Sequence, residues 1–118
     1  MTTYTWAGGS GSFATPSDWF VNGAPASTAP GSTDDVEIST PGNYTISINV
    51  AAVNSLTITD PSATIDVITD LVAGTVDNAG SIISVTPKPS SYLEFGNLFN
   101  QSTGFVAGGL TYIGNSPV

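Results

Sequence analysis

Residues 76–82, Val-Asp-Asn-Ala-Gly-Ser-Ile, align with residues 98–106, Leu-Phe-Asn-Gln-Ser-Thr-Gly-Phe-Val. In this alignment Asn78 precedes Asn100 by 22 positions and Gly80 precedes Gly104 by 24. Units of about 20 to 25 residues with short strands and Asn or Gly at their corners are typical of β-solenoid coils. Each coil has an apolar stripe that it buries by stacking on its neighbours, and Asn and Gly tolerate positive φ at the corners. The repeat therefore predicts a parallel β-helix with positive φ at these corners.

Alternating apolar and polar residues predict strands elsewhere in the chain. The clearest pattern runs over seven positions from Tyr44 to Val50, with the four apolar residues expected to face inward. Shorter alternations occur at residues 35–39, 56–59 and 65–67, and small turn residues separate them. No stretch favours a helix of useful length, so the chain is predicted to be all-β. The same strand spacing leaves a β-sandwich or jelly roll as the alternative fold.

The 118 residues are predicted to form a single all-β domain in two parts. Residues 1–34 are rich in Gly, Ser, Pro and aromatic residues, and the spacing of Trp6, Phe13, Trp19 and Phe20 is too irregular for a helix. We interpret this segment as a folded aromatic loop that caps one end of the coils. Residues 35–118 are predicted to supply the short-strand coils.

The charge composition excludes several classes of partner and most catalytic chemistry. The formal net charge is −8, Lys88 is the single cationic side chain, and the chain contains no Arg, His or Cys. Nucleic acids and anionic membrane surfaces require clusters of Lys and Arg, and no stretch approaches the length of a membrane span. Without imidazole or thiol groups there is no histidine base, cysteine nucleophile, zinc-finger site or disulfide. We therefore predict a protein that is not an enzyme, does not bind nucleic acid and does not insert into membranes.

Several segments between residues 4 and 85 resemble a known class of proteins. They are residues 4–13 (Tyr-Thr-Trp-Ala-Gly-Gly-Ser-Gly-Ser-Phe), 16–19 (Pro-Ser-Asp-Trp), 30–38 (Pro-Gly-Ser-Thr-Asp-Asp-Val-Glu-Ile), 53–56 (Val-Asn-Ser-Leu) and the repeat at 71–82 (Leu-Val-Ala-Gly-Thr-Val-Asp-Asn-Ala-Gly-Ser-Ile). Their pattern resembles the Trp/Gly-rich opening of large bacterial secreted repetitive surface proteins, the filamentous-haemagglutinin-like and type I secreted adhesins. This resemblance implies a parallel β-helix at the cell surface or outside the cell. Residues 1–11 lack the pattern of a classical signal peptide.

Acidic residues supply two candidate sites. Asp34 and Asp35 lie in the densest acidic cluster, and their carboxylates are candidate ligands for calcium, although the cluster lacks the spacing of a calcium-binding loop. No other cofactor is predicted. Asp66, Asp70 and Asp77 could line one solenoid face as paired carboxylates of a glycosidase. Because the chain lacks the cationic groups that hold an acidic sugar chain, we interpret these three as solvated strand-edge acids.

Two sets of apolar residues suggest a function. Trp6 and Trp19 either stack against sugar rings of a glycan or cap the first coil. The carboxyl-terminal run is strand-like and uncharged, and it predicts an assembly edge formed by Phe105, Val106, Leu110, Tyr112 and Ile113.

The favoured hypothesis is a non-enzymatic extracellular structural or adhesive protein whose copies join through β-edges into a filament or matrix. The alternative is a glycan-binding module of a surface adhesin, with a polysaccharide or cell-surface glycan as its partner.

Overall fold

The computed structural model describes residues 2–83, 92–101, 104–106 and 111–114, which form strands and one short 3₁₀ turn at Pro16–Asp18. The strands, in chain order, are β1 (Thr3–Trp6), β2 (Gly11–Ser12), β3 (Trp19–Val21), β4 (Ala24–Pro25), β5 (Asp35–Ile38), β6 (Tyr44–Ile58), β7 (Ala63–Asn78), β8 (Ser81–Ile83), β9 (Tyr92–Asn100), β10 (Phe105–Val106) and β11 (Thr111–Gly114). The prediction of an all-β protein is confirmed. None of the described segments is a helix long and apolar enough to cross a membrane.

The strands form one mixed sheet that does not close on itself. Eight of the ten strand pairings in the described residues are parallel, and the two antiparallel ones join β3 to β1 and to β4. From β5 onward, paired residues lie 17 to 24 positions apart in the chain, from Thr64 with Ser81 to Ser81 with Phe105. A β-sandwich consists of antiparallel sheets, so this pairing differs from that alternative.

Breaks in the burial alternation and in the strand register divide the sheet into three sets of paired segments, which we call stacks and whose boundaries in the long strands we call bends. In β6 the alternation of buried and exposed residues is interrupted at residues 49–50 and 54–55, where two consecutive residues are at least partly exposed. Stack A contains β2, residues 44–48 of β6, residues 63–67 of β7, β8 and β10. Stack B contains residues 50–53, 70–73 and 92–95 and β11. Stack C contains β4, β3, β1, β5 and residues 55–58, 75–78 and 97–100.

The core consists of apolar residues in register on the inner side of each stack. One such column in stack C runs through Val36, Leu56, Val76 and Leu98, all at most 1% exposed. The register confirms the alignment made from the sequence, because Val76 pairs with Leu98 and Ile82 pairs with Val106. Stacking like residues on like residues lets every unit bury a stripe that it could not bury alone.

Two predictions about the bends are wrong. Val50 was expected to face inward but is 68% exposed, because the register shifts between Ile48 and Val50 and reverses the alternation. The expected positive φ at the corners is also absent from Asn78 and Asn100, since Asn22 is the only non-glycine residue in the described segments with positive φ. The corner at Asn78 is instead held by its side chain.

Asn78 is fully buried and hydrogen bonds within its own corner and to the next one. Its Oδ1 accepts a hydrogen bond from the Gly80 amide at 3.1 Å, and its Nδ2 donates to the Gly80 carbonyl at 3.1 Å. The same Nδ2 donates to Asn100 Oδ1 at 3.0 Å, and Asn100 Nδ2 donates to the Gly104 carbonyl. Because a buried polar group must find partners inside the protein, these bonds fix the corner and align successive units.

Candidate functional site

The predicted assembly edge lies on strands at the end of the sheet that is formed by the carboxyl-terminal part of the chain. Phe105 and Val106 form β10, which pairs with β8, whereas Tyr112 and Ile113 belong to β11, which pairs with β9. Leu110 lies outside the described residues. The single apolar run expected from the sequence is therefore two short strands in different stacks, A and B.

The sequence analysis did not include one further segment at this end, residues 97–100 of β9, which pair with residues 75–78 of β7 in stack C. We refer to β10, β11 and residues 97–100 as the carboxyl-terminal edges. None of their residues is charged, so no charge repels another strand from the hydrogen-bonding groups along them.

The side chains of Trp6 and Trp19 are almost completely buried, at 1% and 0% exposed. The Trp6 indole N–H donates to the Gly9 carbonyl, and that of Trp19 donates to the Phe13 carbonyl at 2.8 Å. The Trp19 ring meets the rings of Trp6 and Phe13 edge to face, with centroids 4.9 and 5.0 Å away. The glycan-contact prediction does not fit this arrangement, because neither indole offers a face to solvent.

This aromatic cluster belongs to the segment that covers the other end of the sheet. β3 pairs with β1 and turns at Asn22 and Gly23, both with positive φ, into β4. A two-residue turn with this backbone geometry and an Asn-Gly sequence is the strongest local signal for a β-hairpin. The hairpin therefore supplies the last two strands on this side of the sheet, and its role as a cap of the coils stays a prediction.

Hydrogen bonds within the chain hold the carboxylates of Asp34 and Asp35. Asp34 Oδ2 accepts from the Gly31 amide at 2.8 Å and thereby closes a turn. Asp35 Oδ1 accepts from Asn54 Nδ2 and Ser55 Oγ, both at 2.8 Å, and these bonds lower the pKa of Asp35. The described residues contain no group of three or more acidic side chains that could hold a metal ion. Calcium binding at Asp34 and Asp35 stays a prediction.

The three aspartates that were considered as one acidic face lie in different stacks. Asp66 is in stack A, Asp70 in stack B and Asp77 in stack C, because the chain bends between each pair. Asp77 accepts a hydrogen bond from Gln101 Nε2. The chain therefore does not bring these carboxylates together as a catalytic pair.

A different carboxyl pair, Asp70 and Glu94, forms across two neighbouring strands of stack B. Val72 pairs with Glu94, and Asp70 pairs with Tyr92, so the two acids are diagonal neighbours on the outer side. Asp70 Oδ1 is buried without a hydrogen-bond donor. A hydrogen bond between the two carboxyl groups raises the pKa of Glu94, with smaller effects from burial and from the charge of Asp70. The sequence could not reveal this pair, because the number of residues that separates paired positions differs from one pair of strands to the next. The 24 residues between Asp70 and Glu94 are therefore not a fixed repeat.

The described surface has no pocket that could enclose a small molecule. Its exposed large apolar side chains are Phe20, Val50, Val72 and Phe99. Comparison of the chain with protein-family models, with curated proteins and with solved structures found no match.

Proposed function

We propose that this protein is a non-enzymatic structural or adhesive protein whose copies associate through the carboxyl-terminal edges. The observation that carries the proposal is that β10, β11 and residues 97–100, all from the carboxyl-terminal part of the chain, form strands without a single charged residue. A strand edge binds another strand through main-chain N–H and C=O groups and needs no pocket for this. Pairing of such edges between copies is therefore the interaction that this end supports best.

The three stacks support the finer proposal that the protein is a β-solenoid with an amino-terminal cap. Consecutive units add parallel strands to each stack in the same order, and the bends of β6 recur in β7 at equivalent residues. Solenoids of this kind bind partners or extend through their ends and faces. The location outside the cell or at its surface is proposed on the resemblance of residues 4–85 to bacterial surface proteins.

A strand-breaking substitution tests the role of the edges. Tyr112→Pro removes a backbone N–H from β11 and disrupts this strand, so it should weaken association while most of the sheet persists. The matched control is Ser27→Pro, in the exposed loop between β4 and β5, which should associate like the parent. Sedimentation equilibrium over a wide concentration range measures association, and far-UV circular dichroism checks the fold.

The parent protein is expected to gain mass as its concentration rises. A parent that stays monomeric up to millimolar concentration would overturn the proposal. So would a folded Tyr112→Pro variant that associates as strongly as the parent.

A further inference from the structure

The sequence contains two copies of the acceptor signal for N-linked sugars, Asn-X-Ser/Thr with any residue except proline at X. They are Asn43-Tyr44-Thr45 and Asn100-Gln101-Ser102, whereas the other six asparagines have no hydroxyl residue two positions later. A signal of three residues also arises by chance in a chain rich in Ser and Thr. Accessibility in the folded protein therefore has to distinguish an asparagine that can carry a sugar from one that cannot.

Asn43 lies in the loop between β5 and β6 and is accessible. Pro41, Gly42 and Asn43 are all exposed, so a sugar attached to Asn43 would extend into water. Surface loops are the segments of secreted proteins in which such sugars are found. A bulky hydrophilic group at this position leaves the packing of the core unchanged, because Asn43 does not belong to it.

Contacts on both sides of Asn43 anchor the loop. The Tyr44 hydroxyl donates a hydrogen bond to the Thr40 carbonyl at 2.6 Å, and the Tyr44 side chain is only 4% exposed. The Thr45 amide donates to Ser10 Oγ at 3.0 Å. The residues around Asn43 are therefore held against the sheet, while Asn43 itself stays at the surface.

Asn100 has the same signal but a different environment. Its side chain is half-buried, its Oδ1 accepts from Asn78 Nδ2 at 3.0 Å, and its Nδ2 donates to the Gly104 carbonyl at 3.1 Å. The packing here is close, since a Cβ atom on Gly104 would overlap Asn100 Oδ1. A sugar on Asn100 Nδ2 would have to displace this corner.

We propose that Asn43 is an acceptor site for an N-linked sugar and that Asn100 is not. The donor is a sugar carried on a diphosphate, and a separate transferase catalyses the step. Asn43 Nδ2 forms a bond to the anomeric carbon of the sugar as the bond from that carbon to the diphosphate oxygen breaks. The diphosphate leaves with the electron pair of that bond, and one of the two amide protons passes to a base of the transferase. The site goes beyond the proposed structural function and does not depend on association between copies.

The burial of Tyr44 determines when the sugar is added. A transferase has to reach Asn43 and Thr45 together, but in the folded protein Tyr44 between them packs in the core and the Thr45 amide is bound to Ser10. We therefore expect the transfer to take place before β6 joins the sheet. A chain that received a sugar on Asn100 at that stage would not form the corner with Asn78, so the folded protein should carry none there.

Secretion of the 118-residue chain from cultured animal cells, behind a cleavable signal peptide, tests the site. These cells supply both a diphosphate-linked sugar and a transferase. Far-UV circular dichroism checks that the secreted protein is folded, and mass spectrometry of its peptides locates any sugar. The expected result is one sugar chain, attached to Asn43, which peptide N-glycosidase removes and leaves an aspartate at this position.

Four variants complete the experiment. Asn43→Gln and Thr45→Ala should each abolish the sugar, because one removes the acceptor nitrogen and the other removes the hydroxyl of the signal. Thr45→Ser keeps a hydroxyl and should keep the sugar, and Asn100→Gln should leave the sugar on Asn43 in place. Folded parent protein without a sugar on Asn43 would overturn the proposal. So would a sugar on Asn100 of the folded protein, or one that persists in Asn43→Gln.

Discussion

At the scale of single residues, the Asp70–Glu94 pair links protonation to folding. The folded protein favours protonated Glu94, because this carboxyl can donate a hydrogen bond to Asp70. Because the pKa of Glu94 is higher in the folded protein than its ordinary value of 4.5, protonated Glu94 stabilises the folded state at low pH. This stabilisation is lost as the pH rises through the folded-state pKa. At neutral pH the two carboxylates repel each other across the strands.

Glu94→Gln should therefore stabilise the protein at pH 7, because glutamine keeps a hydrogen-bond donor and removes the second charge. The gain relative to the parent should shrink as the pH falls towards 4. Urea unfolding at both pH values measures this difference, with Glu37→Gln as the control, since Glu37 is exposed and is flanked in register by Thr5 and Thr57. An unchanged or lower stability of Glu94→Gln at pH 7 would contradict the proposed pairing.

Single residues also show where sequence reasoning stops. The repeat identified Asn78 and Asn100 as equivalent corner residues, and their pairing in register confirms this. The expected reason, a positive φ, is wrong, because the amide side chain satisfies the corner through hydrogen bonds to Gly80 and Asn100. Residue type and spacing predict a corner but not whether its backbone or its side chain makes the turn.

At the scale of elements, close packing between corners restricts the turn that joins β7 to β8. A Cβ atom on Gly80 would lie 2.6 Å from the Ala63 carbonyl oxygen and 2.9 Å from that of Asp60. Both neighbours are backbone atoms of the preceding corner, so the turn cannot accept a methyl group unless strands move. The glycine is needed here for close approach, since its φ is not positive.

Gly80→Ala should therefore destabilise the protein by about 1 to 3 kcal/mol, the usual cost of overpacking. Gly31→Ala is the control, because its Cβ would meet only Asp34 Oδ2 at an ordinary 3.5 Å. That change should be neutral or stabilise the fold slightly by restricting the unfolded chain. Thermal unfolding compares the two variants, and equal melting temperatures would show that the corners do not pack as described.

Alternation predicted β5 and the first part of β6 closely, whereas it failed at the bends. Strands with one buried face give a period of two, which the sequence displays from Tyr44 to Ile48. A bend shifts this period by one residue, so that Val50 faces outward and Ala51 inward. The positions of the bends also set the register between strands, and the register determines which acidic side chains become neighbours. Asp70 and Glu94 could therefore not be paired from the sequence.

At the scale of the whole molecule, the aromatic cluster around Trp19 ties the amino-terminal strands into the sheet. Trp19 is central to the capped end, because its fully buried ring contacts Trp6, Phe13 and Tyr4 and its strand lies between β1 and β4. Truncation of a buried tryptophan costs about 3 to 5 kcal/mol, much of it local to this hairpin. Loss of the hairpin would leave β1 without its antiparallel partner.

We therefore expect Trp19→Ala to lower the free energy of unfolding by an amount in this range, because the ring that it removes is fully buried against three other aromatic rings. Urea unfolding followed by far-UV circular dichroism measures the loss. Phe20→Ala, on the same strand but with its side chain 37% exposed, should cost much less. Equal losses in the two variants would contradict the packing of Trp19 within this aromatic cluster.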